Sequence, residues 1–154
     1  MPSAVIAITG ASGSQYSVRL IEALVDADWD IFLTVTREGA INLKLECDIT
    51  PRELAEKHGI RLEQNQNLAA KSASGSARFD AYVICPASGT TIGKIAAGIS
   101  DNLATRSAIV AMKERRKLII VPRETPMATP HLEALAKLHH GGSSYSPHPR
   151  VSTR

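Results

Sequence analysis

At 154 residues, with 44% apolar and 21% charged side chains, the chain is sized for one globular domain that buries roughly 70% of its unfolded surface. That composition excludes disordered and fibrous classes, and only 4% aromatic residues leaves the core to Ala, Val, Ile and Leu. The net charge of +3 is mild, and its densest run, Lys113-Glu114-Arg115-Arg116-Lys117, lacks the breadth and interleaved aromatics of a nucleic-acid footprint, so it reads as a solvated helix end.

In chain order, the β-branched run 3–9 predicts a strand that ends at Gly10, and 14–27 carries apolar residues at helical spacing. A second strand follows over 30–36 and a second helix over 37–46. Thr50 is a candidate N-cap for a short helix opening on Pro51. The stretch from Ile60 to Ser76 is polar and small, and reads as a long surface excursion. Residues 80–86 form an apolar strand stopped by Pro86, followed by helices over 90–99 and 102–116. A fourth strand over 117–122 and a helix over 130–140 complete the pattern. Strands alternating with helices predict an α/β domain, a three-layer Rossmann-like or flavodoxin-like parallel sheet with helices on both faces.

No run approaches the roughly 20 apolar residues of a membrane span, and no secretory signal is visible. Cys47 and Cys85 form no Cys-x-x-Cys pair, so a reduced cytoplasmic compartment is expected. The five histidines fall into no ligand spacing, so no metal site is assigned.

Ligands of open α/β sheets bind beyond the carboxyl ends of the strands, which directs attention to 9–14, 36–38, 86–91 and 122–126. In "TGASGS", Gly10 and Gly13 permit close backbone approach, Ser12 adds a hydroxyl, and the following helix aims its free N–H groups at an anion. A Gly-rich turn that serves packing alone fits the same letters. "PASGTT" offers Ser88, Thr90 and Thr91 around Gly89; simple N-capping explains one of the three hydroxyls better than all of them. In "PRETP", Arg123 can fork onto phosphate or carboxylate, and Glu124 can orient it or handle a proton. Glu46, Arg106 and Lys113 have no interpretable spacing. The residues alone stop at an α/β domain that binds a phosphorylated cofactor.

Taken together, "ITGASGSQYSVRLIEAL", Glu46, "SASGS", "GTTIGKIAAGISDNLATRSAIVAMKERRKLIIVPRETP" and "HLEALAKL" resemble the UbiX-type flavin prenyltransferases. The resemblance covers about Val5 to Gly142. It implies transfer of dimethylallyl from dimethylallyl monophosphate to N5 and C6 of reduced FMN, without a metal, to supply a partner UbiD-type decarboxylase. It also implies a homo-oligomer, a trimer-based dodecamer in the family.

By the same resemblance, Gly10, Ala11, Ser12, Thr36, Ser88, Gly89, Thr90, Thr91 and Arg123 are expected around FMN. Ser74, Ser76, Arg106, Lys113 and Arg123 are expected around the donor phosphate. Ser12, Glu46, Lys113 and Glu124 would carry the chemistry. "PASGTT" departs from the Cys-Ser-Met of many members. After Gly142 the family continues with a strand and a Pro-Ala-x-Pro-x-Phe-Tyr segment, whereas residues 143–154 read as a polar tail outside the family. With freely chosen codons, a shifted frame from Gly142 can spell the missing segment, which suggests a frameshift. A decarboxylase or flavin reductase of the same fold, and a non-catalytic FMN-binding protein, remain the alternatives.

Overall fold

The computed structural model describes residues 1–124 and 126–140 and the backbone of Ser144–Tyr145. In chain order the elements are β1 (Ser3–Ile8), α1 (Ser14–Asp26), β2 (Asp30–Val35), α2 (Arg37–Cys47), α3 (Pro51–His58), β3 (Arg61–Leu62), β4 (Ala81–Ala87), α4 (Gly89–Ala96), α5 (Leu103–Lys113), β5 (Leu118–Pro122), α6 (Thr129–His140) and β6 (Ser144–Tyr145).

All the strand pairs are parallel, in the order β3-β2-β1-β4-β5-β6. The chain reverses its direction of travel across the sheet between β1 and β4, which creates the crevice where such sheets take ligands. The expected fold class holds.

The near-continuous apolar strands are explained by burial on both faces. Period-2 alternation sends Val5 and Ala7 to one face with Phe32 and Ile84, against Ile92 and Ile95 of α4, Ala104 and Ala108 of α5 and Leu135 of α6. Ile6 and Ile8 go to the other face with Ile31 and Leu33, against Ile21 of α1, Leu43 of α2 and Leu54 of α3. Those three helix residues are fully buried, and each contributes about 1.5–3 kcal/mol relative to exposure. Phe32, Phe79 and Tyr82 meet edge to face and supply the aromatic part of the core.

The α3 start is a formed capping box: Thr50 Oγ1 accepts from Glu53 N–H at 3.1 Å, and the Glu53 carboxylate accepts from Thr50 N–H at 2.9 Å. This is the cap the sequence predicts.

The structure differs from the sequence reading in several places, one being the helix expected over 90–99, which spans Gly89–Ala96. The polar stretch 60–76 is not a bare excursion, because Arg61–Leu62 add an edge strand to β2 and residues 71–73 form a 3₁₀ turn. Glu63 ties that turn down, accepting from Lys71 N–H at 3.1 Å and from the Ser72 hydroxyl. The last strand before the "PASGTT" turn continues through the cis Cys85–Pro86 bond to Ala87, with a register shift against β5.

The helix expected to run to residue 116 ends at Lys113, since Arg115 turns left-handed at φ 56°. Arg116 is therefore not a solvated helix end: it donates to Gly75 O, to Ala77 O and to the Tyr82 hydroxyl. Finally, Ser144–Tyr145 pair in parallel with Ile119–Ile120, where no regular structure was expected. The rest of the expected tail, 146–154, lies outside the described residues, as does residue 143. Among the described residues, no helix is long and apolar enough to cross a membrane.

Candidate active site at the carboxyl edge of the sheet

The crevice at the switch point is built by stitching two turns together. Thr9 Oγ1, buried at the end of β1, donates to Pro86 O at 2.6 Å and accepts from Ser88 N–H at 2.8 Å. The "TGASGS" and "PASGTT" turns are thereby locked side by side.

At the first turn, Gly13 caps α1 with φ 112°, a left-handed conformation that favours glycine, and a Cβ there would stand 2.6 Å from Arg123 Nε. The free N–H groups of α1 do not wait for an external anion. Glu46, in the last turn of α2, accepts from Ser14 N–H at 2.8 Å, Gly13 N–H at 3.1 Å and Ser12 Oγ–H at 2.8 Å. Burial works against ionisation of this carboxyl. Even so, the bonds from Ser14, Ser12 and Gly13 together outweigh it and hold Glu46 below the usual carboxylate range.

The helix α2 runs alongside the turn, so its first residues also reach the crevice. A Cβ at Gly10 would meet Glu38 Cβ at 2.5 Å, and Thr36 Oγ1 caps α2 by accepting from Gly39 N–H at 3.0 Å. Ala11 is buried in the same turn.

At the second turn, Ser88 Oγ accepts from Thr91 N–H at 3.1 Å and donates to Thr91 Oγ1 at 2.9 Å. Capping thus employs Ser88 and Thr91 and leaves the exposed Thr90 hydroxyl unengaged in it. Gly89 N–H donates to Glu124 Oε1 at 3.1 Å, and Glu124 Oε2 faces His131 Nδ1 at 3.4 Å. Glu124 therefore does not orient Arg123, as one sequence reading had it.

Arg123 instead donates through Nε to Ser12 O at 3.3 Å and stacks 4.8 Å over the Tyr16 ring. Its Nη1 is buried with no hydrogen-bond partner among the described residues. Between the turns lies a cavity of about 330 Å³ lined by Gly10, Thr36, Glu38, Ser88, Thr90, Thr91, Lys94 and Asn102.

Lys94, Asn102, Tyr16 and His131 escaped the sequence reading. Lys94 had a usable signal, since it stands four positions after Thr90 and so on the same helix face. Asn102 was read as the first helical residue; it is the cap of α5, with its side chain accepting from Thr105 N–H at 2.9 Å. Arg106 follows in the first turns of α5, its Nε buried without a partner among the described residues.

The remaining expected residues are elsewhere. Ser74 and Ser76 bond to one another at 2.9 Å, and a Cβ at Gly75 between them would lie 3.5 Å from Lys113 Nζ, which pairs with Glu114 at 2.6 Å. Arg116 holds this loop against Tyr82 at the start of β4. The cluster thus sits at the amino ends of β4 and β5. The seven residues of β4 separate it from the crevice by roughly 20 Å.

The chain resembles known proteins over most of its length. The Flavoprotein family model matches residues 2–148. The flavin prenyltransferase LpdB of Lactiplantibacillus plantarum is 43% identical over 148 residues, covering 96% of this chain and 79% of that protein. The flavin prenyltransferase UbiX of Archaeoglobus fulgidus is 39% identical over 146 residues, covering 93% and 78%.

Among solved structures, a dodecameric FMN-dependent UbiX-like decarboxylase from Escherichia coli superposes with a TM-score of 0.90 at 33% identity, over 94% of this chain and 79% of that one. AnUbiX, solved in complex with FMN and dimethylallyl pyrophosphate, gives 0.90 at 30% identity over 94% and 76%. The chain belongs to the flavoprotein family and, within it, to the UbiX-type flavin prenyltransferases.

Proposed function

We propose that this protein transfers dimethylallyl from dimethylallyl monophosphate to N5 and C6 of reduced FMN, and that the product serves a UbiD-type decarboxylase. The observation that carries the reading is the crevice itself. An ionised Glu46 is wired through Ser12 to the turn after β1, beside a buried Arg123 nitrogen that lacks a partner among the described residues.

The donor set fits FMN. Thr36, Ser88, Thr90, Thr91 and Lys94 offer hydroxyls and one cation around the cavity, as a phosphorylated polyol chain requires. Gly10, Ala11, Gly89 and Arg123 border the same crevice and complete the flavin contacts. Bound there, reduced FMN would supply a nucleophilic nitrogen and carbon: one new bond would replace the allylic C–O bond, and the other would form at the alkene as the ring C–H proton leaves and the alkene takes up a proton.

The chain's own residues then have two tasks. Ser12 directs its hydroxyl proton at Glu46, so a proton lost from the flavin ring passes to Ser12 Oγ as the Ser12 proton moves to Glu46. Glu46 is able to accept because it is ionised at neutral pH. The departing phosphate needs cations, for which Arg123, Arg106 and Lys113 with Ser74 and Ser76 are the proposed set, with Glu124 the carboxylate beside them that handles a proton.

Lys113, Ser74 and Ser76 lie at the opposite sheet edge of their own chain, so a neighbouring copy must supply them. A homo-oligomer is therefore part of the proposal, supported by the dodecameric assembly of the Escherichia coli relative. Mixing inactive Glu46→Ala and Lys113→Ala chains under conditions that exchange subunits tests it. Activity regained in the mixture is expected. Mixtures as inactive as their parents would refute shared sites.

A further inference from the structure

His131 is a titratable residue that the mechanism above does not use. It lies in the first turn of α6, and its ring fills the space beside Gly89, where any Cβ would collide with Nδ1 and Cε1. Its Nδ1 is buried without a hydrogen-bond partner among the described residues, and Glu124 Oε2 lies 3.4 Å from it. The other carboxylate oxygen already accepts from Gly89 N–H at 3.1 Å.

We propose that His131 is a positioning residue for Glu124: Nδ1–H holds one carboxylate oxygen while Gly89 N–H holds the other, fixing the carboxylate at the N-terminus of α4. The catalytic consequence rests on the proposed function; the geometric claim does not.

The physical argument is one of tautomers. A neutral imidazole carries its proton on one nitrogen, and the partner of each nitrogen decides which. With the proton on Nε2, the Nδ1 lone pair would face a carboxylate at close range inside a partly buried site, and both would be unsatisfied. With the proton on Nδ1, the contact becomes attractive and the carboxylate has a donor on each oxygen. A carboxylate so held has little rotational freedom, which keeps it aimed across the mouth of the α4 turn. The missing Cβ at position 89 is what lets the ring approach.

The test has two arms. In ¹⁵N-histidine NMR of the flavin-free protein, His131 is expected as the Nδ1–H tautomer, reverting to Nε2–H in Glu124→Ala. An Nε2–H signal in the wild type, or a tautomer indifferent to Glu124, overturns the proposal. In turnover, His131→Ala is expected to lower kcat about tenfold with KM for dimethylallyl monophosphate little changed. His131→Asn, whose amide nitrogen stands near the place of Nδ1, is expected to recover most of it.

The double variant with Glu124→Ala is expected to be no slower than Glu124→Ala alone. Losses that multiply, or no rescue by Asn, overturn the positioning role. A wild type that shows the Nδ1–H signal but never prenylates would sink the proposed function while leaving the positioning intact.

Discussion

Replacing Glu46 by Ala removes the anion that α1 uses as its cap. Three donors lose their acceptor at once: Ser14 N–H and Ser12 Oγ–H at 2.8 Å and Gly13 N–H at 3.1 Å. A hydrogen bond to a charged group contributes about 1.5–3 kcal/mol when desolvated, but solvent reaches this carboxyl and reduces that several-fold. Adding about 0.3–1 kcal/mol for a negative charge at a helix N-terminus gives a net loss of roughly 1–2 kcal/mol. For a domain of this size that lowers Tm by about 2–8 °C.

The sign with pH follows from the lowered carboxyl. A depressed group stabilises the fold above its ordinary value of 4.5, and that stability is lost as pH falls through the lower folded-state value. The gap between wild type and Glu46→Ala, read as urea midpoints from pH 7 downward, should therefore be full at neutral pH and shrink below about 4.5. Glu46→Gln should fall between the two, since its amide oxygen accepts but its nitrogen faces donors. A gap absent at pH 7, or one unchanged in acid, would refute the capping argument.

Two further outcomes follow from local geometry. Gly39→Ala should lose about 1–3 kcal/mol in urea denaturation, because its Cβ would stand 2.5 Å from the backbone oxygen of Ile8, which cannot give way; unchanged stability would mean that α2 is less closely seated on β1. Ser88→Ala should cost about 1 kcal/mol as a lost N-cap, whereas the uncapped Thr90→Ala should leave Tm unchanged and weaken FMN binding, read by flavin fluorescence. Equal effects of the two on stability would contradict the division of labour.

The main strands were legible because each is a short apolar run rich in β-branched residues, with Gly10 closing the first, and the Thr50 cap was legible because it stands directly before Pro51. Arg61–Leu62 were not, since two residues at a sheet edge leave no periodicity to detect. The end of α5 was missed for a different reason: Arg115 adopts φ 56° without the glycine that usually announces such a turn.

The turns that face the crevice could be listed from the rule that ligands sit beyond strand ends, and the structure brings them together. Their wiring could not be read. Glu46 meets Ser12 across 34 positions and Glu124 meets Gly89 across 35, and pairings of that separation leave no trace in spacing. The resemblance grouped Lys113 with Ser12 for the chemistry and with Ser74, Ser76 and Arg123 for the phosphate, and only the sheet direction reveals that a single chain keeps Lys113, Ser74 and Ser76 at the opposite edge from Ser12 and Arg123.

The central claim is prenyl transfer, and it is tested most directly by incubating the protein anaerobically with reduced FMN and dimethylallyl monophosphate, then weighing the released flavin by mass spectrometry. A flavin heavier by one isoprene unit, formed with release of inorganic phosphate and abolished in Glu46→Ala, is the expected result. Flavin that binds tightly and returns with its mass unchanged would contradict it.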